Sequence, residues 1–133
     1  MRKIDKIILH CSATKEGQHF TVDDINQWHI ARGFAKIGYH YVIYLDGSVH
    51  KGRSEELIGA HCLGHNATSI GICYIGGLDS KGNPKDTRTE AQKAALTKLV
   101  SQLKVQYPKA KVHGHNEFAA KACPCFNVKK EFV

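Results

Sequence analysis

The chain lacks most of what would tie it to a membrane or to a cross-linked extracellular scaffold. No apolar run approaches the roughly 18 residues that a membrane-spanning helix needs. Basic residues open the chain at Met1-Arg2-Lys3-Ile4-Asp5-Lys6. The apolar stretch behind them is too short for a signal peptide and has no small-residue cleavage site, so no export signal is expected. The five cysteines stand at 11, 62, 73, 123 and 125, an odd count that gives no disulfide framework. There is no internal repeat, low-complexity segment or linker. At 133 residues the chain is expected to form one domain spanning 1–133, with room for a core but not for a second module.

Charge is of mostly one sign but is not concentrated. The formal net charge is +7, which favours anionic partners. The lysines scatter, as at Lys93, Lys98, Lys104, Lys109, Lys111, Lys129 and Lys130. They read first as a solvated basic surface and second as an attraction for an anionic polymer. No clustered basic stripe or nucleic-acid module is present, so no nucleic-acid partner is expected. The hydrophobic fraction of 42% and charged fraction of 23% are those of a soluble globular protein, expected to be a monomer.

The pattern of elements is mixed. Residues 6–11 read as a strand. Thr21-Val22-Asp23-Asp24 resembles a capping box with Asp at its fourth position. It opens a helix with Ile25, Trp28 and Arg32 on one face, ended by Gly33. Tyr39 to Leu45 reads as a strand, Asp46-Gly47 as a hairpin turn, and Ser48 to Lys51 as the returning strand. The near-continuous apolar run from Ser69 to Ile75 predicts a central strand buried on both faces, with Cys73 as a core thiol. Gly52 to Asn66 and Gly76 to Arg88 read as loops. Thr89-Glu90-Ala91-Gln92 is a full capping box. It starts a long helix with Ala95, Leu96, Leu99, Val100 and Leu103 inward, ended at Tyr107-Pro108. Ala110 to His115 reads as a last strand, and Asn127 as the cap of a short helix. The order β-α-β-β-β-α-β predicts an α/β fold: a single-domain mixed central β-sheet packed by helices.

Chemistry concentrates at the ends of two of these strands. His10 closes the run Ile7-Ile8-Leu9-His10. His115 and Cys123 follow far downstream, in His113-Gly114-His115-Asn116-Glu117 and Lys121-Ala122-Cys123-Pro124. Structural zinc sites usually take four ligands at close spacings. Three ligands gathered from distant segments suit a catalytic site whose fourth position holds water. Cys11, next along an extended strand, should face away from what His10 binds. His113 is the rival ligand, since two residues along a strand it would share the face of His115. Cys125 lies two residues past Cys123 as a second thiol near the metal or an oxidation liability. His19, His29, His40, His50 and His65 read as surface or structural.

The ordered set of segments resembles the zinc-dependent N-acetylmuramoyl-L-alanine amidases, most closely the phage-lysozyme type. That fold is shared with peptidoglycan recognition proteins. The segments that carry the resemblance are His10-Cys11-Ser12-Ala13-Thr14, Gln27-Trp28-His29, Gly38-Tyr39-His40-Tyr41, Asp46-Gly47, Gly52-Arg53, Gly59-Ala60-His61, Asn66, Ser69-Ile70-Gly71-Ile72, Gly76-Gly77, His115-Asn116-Glu117 and Lys121-Ala122-Cys123-Pro124. They run in order along nearly the whole chain.

The resemblance implies one Zn2+ per chain, held by His10, His115 and Cys123. It makes Tyr39 and Lys121 catalytic and sets His61 and Asn66 along the substrate groove. The implied reaction is hydrolysis of the amide between the lactyl group of N-acetylmuramic acid and L-alanine, with peptidoglycan or a muropeptide as substrate. Asn116 and Ala120 depart from the His or Pro of many relatives. A non-catalytic recognition module of the same fold is the competing reading, and Cys123, typically lost in inactive members, favours the enzyme. Without an export signal, synthesis is expected in the cytoplasm, with access to the wall by release or by another delivery system. Phage lysin, secreted effector and recycling enzyme all stay open.

Overall fold

A computed structural model describes residues 2–132. Seven strands and three α-helices follow one another as β1 (Lys6–Cys11), β2 (Thr14–Lys15), α1 (Val22–Ala31), β3 (Tyr41–Ile43), β4 (Val49–Lys51), β5 (Ser69–Tyr74), β6 (Gly77–Leu78), α2 (Glu90–Gln106), β7 (Lys111–Gly114) and α3 (Val128–Glu131). The main sheet has five strands in the order β4-β3-β5-β1-β7. It is parallel except for the β3–β4 hairpin. The expected mixed sheet with helices against it is therefore present.

Both helix starts follow the capping chemistry of the sequence. At α1, Thr21 accepts from the Asp24 backbone and the Asp24 carboxylate accepts from the Thr21 backbone, so Asp closes the box in place of Glu or Gln. At α2, Thr89 and Gln92 do the same. The buried Gln92 amide also donates to the carbonyls of Ile43 and Ile75, pinning the helix start onto two strands.

The sheet is buried on both faces, as the apolar run of β5 predicts; all six of its residues are buried. One face packs Ile7, Leu9, Ile70 and Ile72 against Leu96, Leu99, Val100 and Leu103 of α2. The other packs Val42 and Ile75 against Ile25 of α1 and Ile37. Successive strand residues point to opposite faces. Cys11 therefore joins the α2-side cluster, turned away from His10 as expected.

Three expectations change. The inward face of α1 is Ile25 with His29, not Ile25 with Trp28 and Arg32. Trp28 is 37% exposed and rests edge-on against Phe20. Periodicity could not favour His29, because its burial depends on a polar contact: Nδ1 accepts the Gly38 N–H at 2.8 Å. Second, β2 and β6 form a small parallel pair where loop was expected; two residues a side are too short for a period to register. Third, strand β3 is shorter than the expected 39–45, which leaves Tyr39 just ahead of the ladder.

Residues 79–88 read as polar loop, yet one end is anchored deep. Arg88 is 7% exposed, paired with Asp86 and Glu131, and its guanidinium lies 3.4 Å from the Phe126 ring centre. That clasp ties the loop to α3.

Candidate metal centre and groove

The parallel strands place the site. Strand β1 pairs with β5 on one side and β7 on the other. The chain leaves β1 toward β3 and later crosses back to β7, so their carboxyl ends diverge into a crevice, the usual place for a ligand in such a sheet. His10 sits at the end of β1, and His115 begins the turn directly after β7.

Local bonds fix that turn. The Glu117 carboxylate accepts from the Gly114 backbone at 2.7 Å and pairs with His113 Nδ1 at 3.0 Å. His113 is thereby engaged away from the centre, and the rival ligand falls outside the cluster. Cys123 is delivered by a loop that the Asn116 N–H holds through the Cys123 carbonyl (2.8 Å) and the Tyr74 hydroxyl through the Pro124 carbonyl (2.7 Å). The Cys11 N–H points at Cys123 Sγ at 3.1 Å, a backbone donor of the kind that stabilises a thiolate.

The ligand atoms of His10, His115 and Cys123 all lie within 4.8 Å of one another. The two Nδ1 atoms of His10 and His115 are 3.2 Å apart, and Cys123 Sγ is 4.0 Å from His10 Nδ1. Tetrahedral zinc, with bonds of about 2.0–2.1 Å to nitrogen and about 2.3 Å to sulfur, sets two nitrogens about 3.3 Å apart and nitrogen and sulfur about 3.6 Å apart. The donor set and its spacing fit the metal. Burial, chiefly, depresses the pKa of His10, with His61, His115 and Lys121 adding to it. Burial and then Lys121 depress His115. Both imidazoles are kept neutral, the form that binds metal. The neighbouring thiol Cys125 lies 4.0 Å from Cys11 Sγ and bonds the Gly77 carbonyl, outside the ligand cluster.

A groove of about 580 Å³ opens beside the cluster and meets it at His115, lined among others by Tyr39, His61, Asn66 and Lys121. The structure brings these five residues of the sequence reading to one groove. Tyr39 packs its ring 5.1 Å from that of His10. Burial first, and then the thiols of Cys73, Cys123 and Cys11, hold its phenol well above the ordinary value, so it keeps its proton at neutral pH. Lys121 is exposed at the rim. Asn66 Oδ1 accepts from the backbones of His61 and Cys62, both at 2.9 Å, and so shapes the groove wall. His61 is 9% exposed, with both ring nitrogens occupied.

His29 and His40 are buried, not surface residues. His40 Nδ1 accepts the Gly71 N–H at 3.0 Å, and its Nε2 meets the Leu57 carbonyl at 2.8 Å. These are structural roles, as one of the two sequence readings had it.

Fold and site together define a mixed α/β domain with a candidate metal centre beside an open groove. Residues 1–126 match the model of the N-acetylmuramoyl-L-alanine amidase family. The endolysin of Klebsiella phage KP32 is 44% identical over 129 residues, covering 97% of this chain and 85% of that protein. Peptidoglycan-recognition protein SC2 of Drosophila melanogaster is 32% identical over 129 residues, covering 92% of this chain and 65% of that protein. Among solved structures, N-acetylmuramoyl-L-alanine amidase LysC from Clostridium intestinale URNW superposes with a TM-score of 0.82 at 27% identity, covering 98% of this chain and 82% of that one. The chain belongs to the N-acetylmuramoyl-L-alanine amidase family and is an amidase of that class.

Proposed function

We propose that this amidase is zinc-dependent and acts, as an endolysin-type enzyme, on the bond between N-acetylmuramic acid and L-alanine in bacterial peptidoglycan. The observation that carries the reading is the convergence of His10, His115 and Cys123 beside a groove that His115 lines together with Tyr39 and Lys121. Similarity to a phage endolysin over 97% of the chain supports the setting. Among the described residues, no helix is long and apolar enough to cross a membrane.

His10, His115 and Cys123 would hold one zinc. When bound, zinc supplies a water of lowered pKa and a Lewis acid for the carbonyl. The protein's own residues do the rest. Tyr39, kept protonated by burial, donates a hydrogen bond toward the oxygen that gains charge as the amide carbon becomes tetrahedral. Lys121, two residues before a ligand, brings its ammonium to the same oxygen from the rim. As ligands, His10 and His115 are not free to act as acids, so the proton for the leaving amine comes from elsewhere in the groove. His61 and Asn66 form the wall against which the muropeptide lies.

Mass spectrometry of a defined muropeptide after incubation tests the reading. The expected products are a free amine on L-alanine and a free lactyl carboxylate on the muramic acid, stopped by chelator and restored by zinc. New reducing sugar ends would place the cut in the glycan strand and overturn the proposal. Saturable binding without products would assign the groove to recognition alone.

A further inference from the structure

Behind the metal-facing side of His10 lies a second contact. His10 Nδ1 faces His115 and Cys123. Its other nitrogen, Nε2, lies 2.9 Å from Nδ1 of His61. His61 Nε2 in turn lies 3.2 Å from the hydroxyl of Ser69, which is fully buried at the start of β5. The three side chains form one line from the metal site into the sheet. The His61 ring is seated with little slack: a Cβ on Gly71 would come within 2.6 Å of it, and one on Gly59 within 2.7 Å. The Asn66 side chain holds the His61 backbone, accepting its N–H at 2.9 Å.

Proton counting along this line has one solution. A neutral imidazole that gives Nδ1 to a metal carries its proton on Nε2. His61 Nδ1 must then accept that proton, so His61 carries its own proton on Nε2. Ser69 Oγ stands where an acceptor is required. A metal-bound histidine usually gives its second N–H to a carboxylate, a carbonyl or water, and that partner sets its tautomer and ring angle. Among the described residues, no carboxylate is bonded to His10; a second histidine occupies that place.

We propose that His61 is a positioning residue for the metal ligand His10, accepting its Nε2 proton and holding it in the tautomer that presents Nδ1 to the metal, with Ser69 anchoring His61 in turn. This rests on the zinc reading above and gives His61 a task beyond lining the groove.

Zinc affinity, measured by chelator competition on purified full-length protein, tests it together with the melting temperature of the metal-free form. His61→Leu keeps the bulk but removes the acceptor. It should weaken zinc about 10- to 100-fold. His61→Asn puts an acceptor oxygen close to the place of Nδ1, and it should recover most of that loss. Wild-type affinity in His61→Leu, or no recovery in a folded His61→Asn, would overturn the proposal. A large rise in KM with unchanged zinc affinity would make His61 a substrate contact instead.

Nitrogen NMR of the zinc-loaded wild type needs no variant. The His61 proton should be on Nε2; a proton on Nδ1 overturns the assignment even if His61→Leu does not fold. Failure of the wild type to bind zinc at all would instead strike the metal reading itself.

Discussion

The two faces of the central sheet are both buried, and they do different things. On the α2 side Ile7, Leu9, Ile70 and Ile72 meet Leu96, Leu99, Val100 and Leu103, an aliphatic interior. On the α1 side Ile25, Ile37, Val42 and Ile75 form a smaller cluster. Around it stand four buried histidines, His10, His29, His40 and His61. Burying imidazole is costly unless its nitrogens are partnered, and here they are: Gly38, Gly71, Leu57 and Ser69 take the bonds that water would. One face supplies stability through area removed from water. The other spends part of that stability to hold neutral nitrogens in fixed directions.

The comparison breaks if the α1 face proves inert. The largest expected effect is on turnover. Tyr39→Phe and Lys121→Ala should each keep fold and metal but lose roughly a hundredfold or more in kcat, the usual worth of one transition-state donor. Near-wild-type turnover in either would remove that residue from the chemistry.

The α2 face should respond in the opposite sense. Leu99→Ala, truncating a buried side chain of α2, should cost about 2–5 kcal/mol of stability. Its kcat per folded molecule should stay near wild type. Urea denaturation read beside the amidase assay separates the two. A loss of kcat without a loss of stability would blur the division between the faces.

A smaller effect sharpens the comparison through pH. Burial depresses His29 and His40, and pushes His61 down to about 3. The unfolded chain takes up these protons near the ordinary histidine value of about 6.5, while the folded chain does not. More protons bound in the unfolded state means that stability rises with pH. The contribution is present above about pH 6.5 and is lost progressively as pH falls below it. Metal-free protein should have a lower urea midpoint at pH 5.5 than at 7.5. The carboxylates held below their usual range, such as Asp79 and Glu117, act at lower pH and leave this window to histidine. An unchanged midpoint would mean that the histidines are not buried neutral.

The two faces also differed in how well the sequence disclosed them. The α2 face was legible because it follows simple periods: the Thr89–Gln92 box, the inward leucines, and the apolar run of β5. The candidate ligands were legible through the resemblance, which set His10, His115 and Cys123 within an ordered series of matching segments. What the sequence hid were polar contacts that form only across the fold. Helical periodicity scores His29 as polar and does not separate a surface from a structural role. Arg88 sat in a polar stretch with no sign of Asp86, Glu131 and Phe126 closing over it. The line from His10 through His61 to Ser69 joins residues 51 and 8 positions apart, and no local pattern encodes it.

Metal content is the most direct test of the claim that the histidine-bearing face exists to hold a metal. Wild-type protein and the Cys123→Ala and Cys125→Ala variants would be purified, dialysed and analysed for zinc. The account predicts about one zinc per chain in the wild type, near-complete loss in Cys123→Ala, and retention in Cys125→Ala. Full zinc in Cys123→Ala, or a wild type that binds none when zinc is supplied, would contradict it.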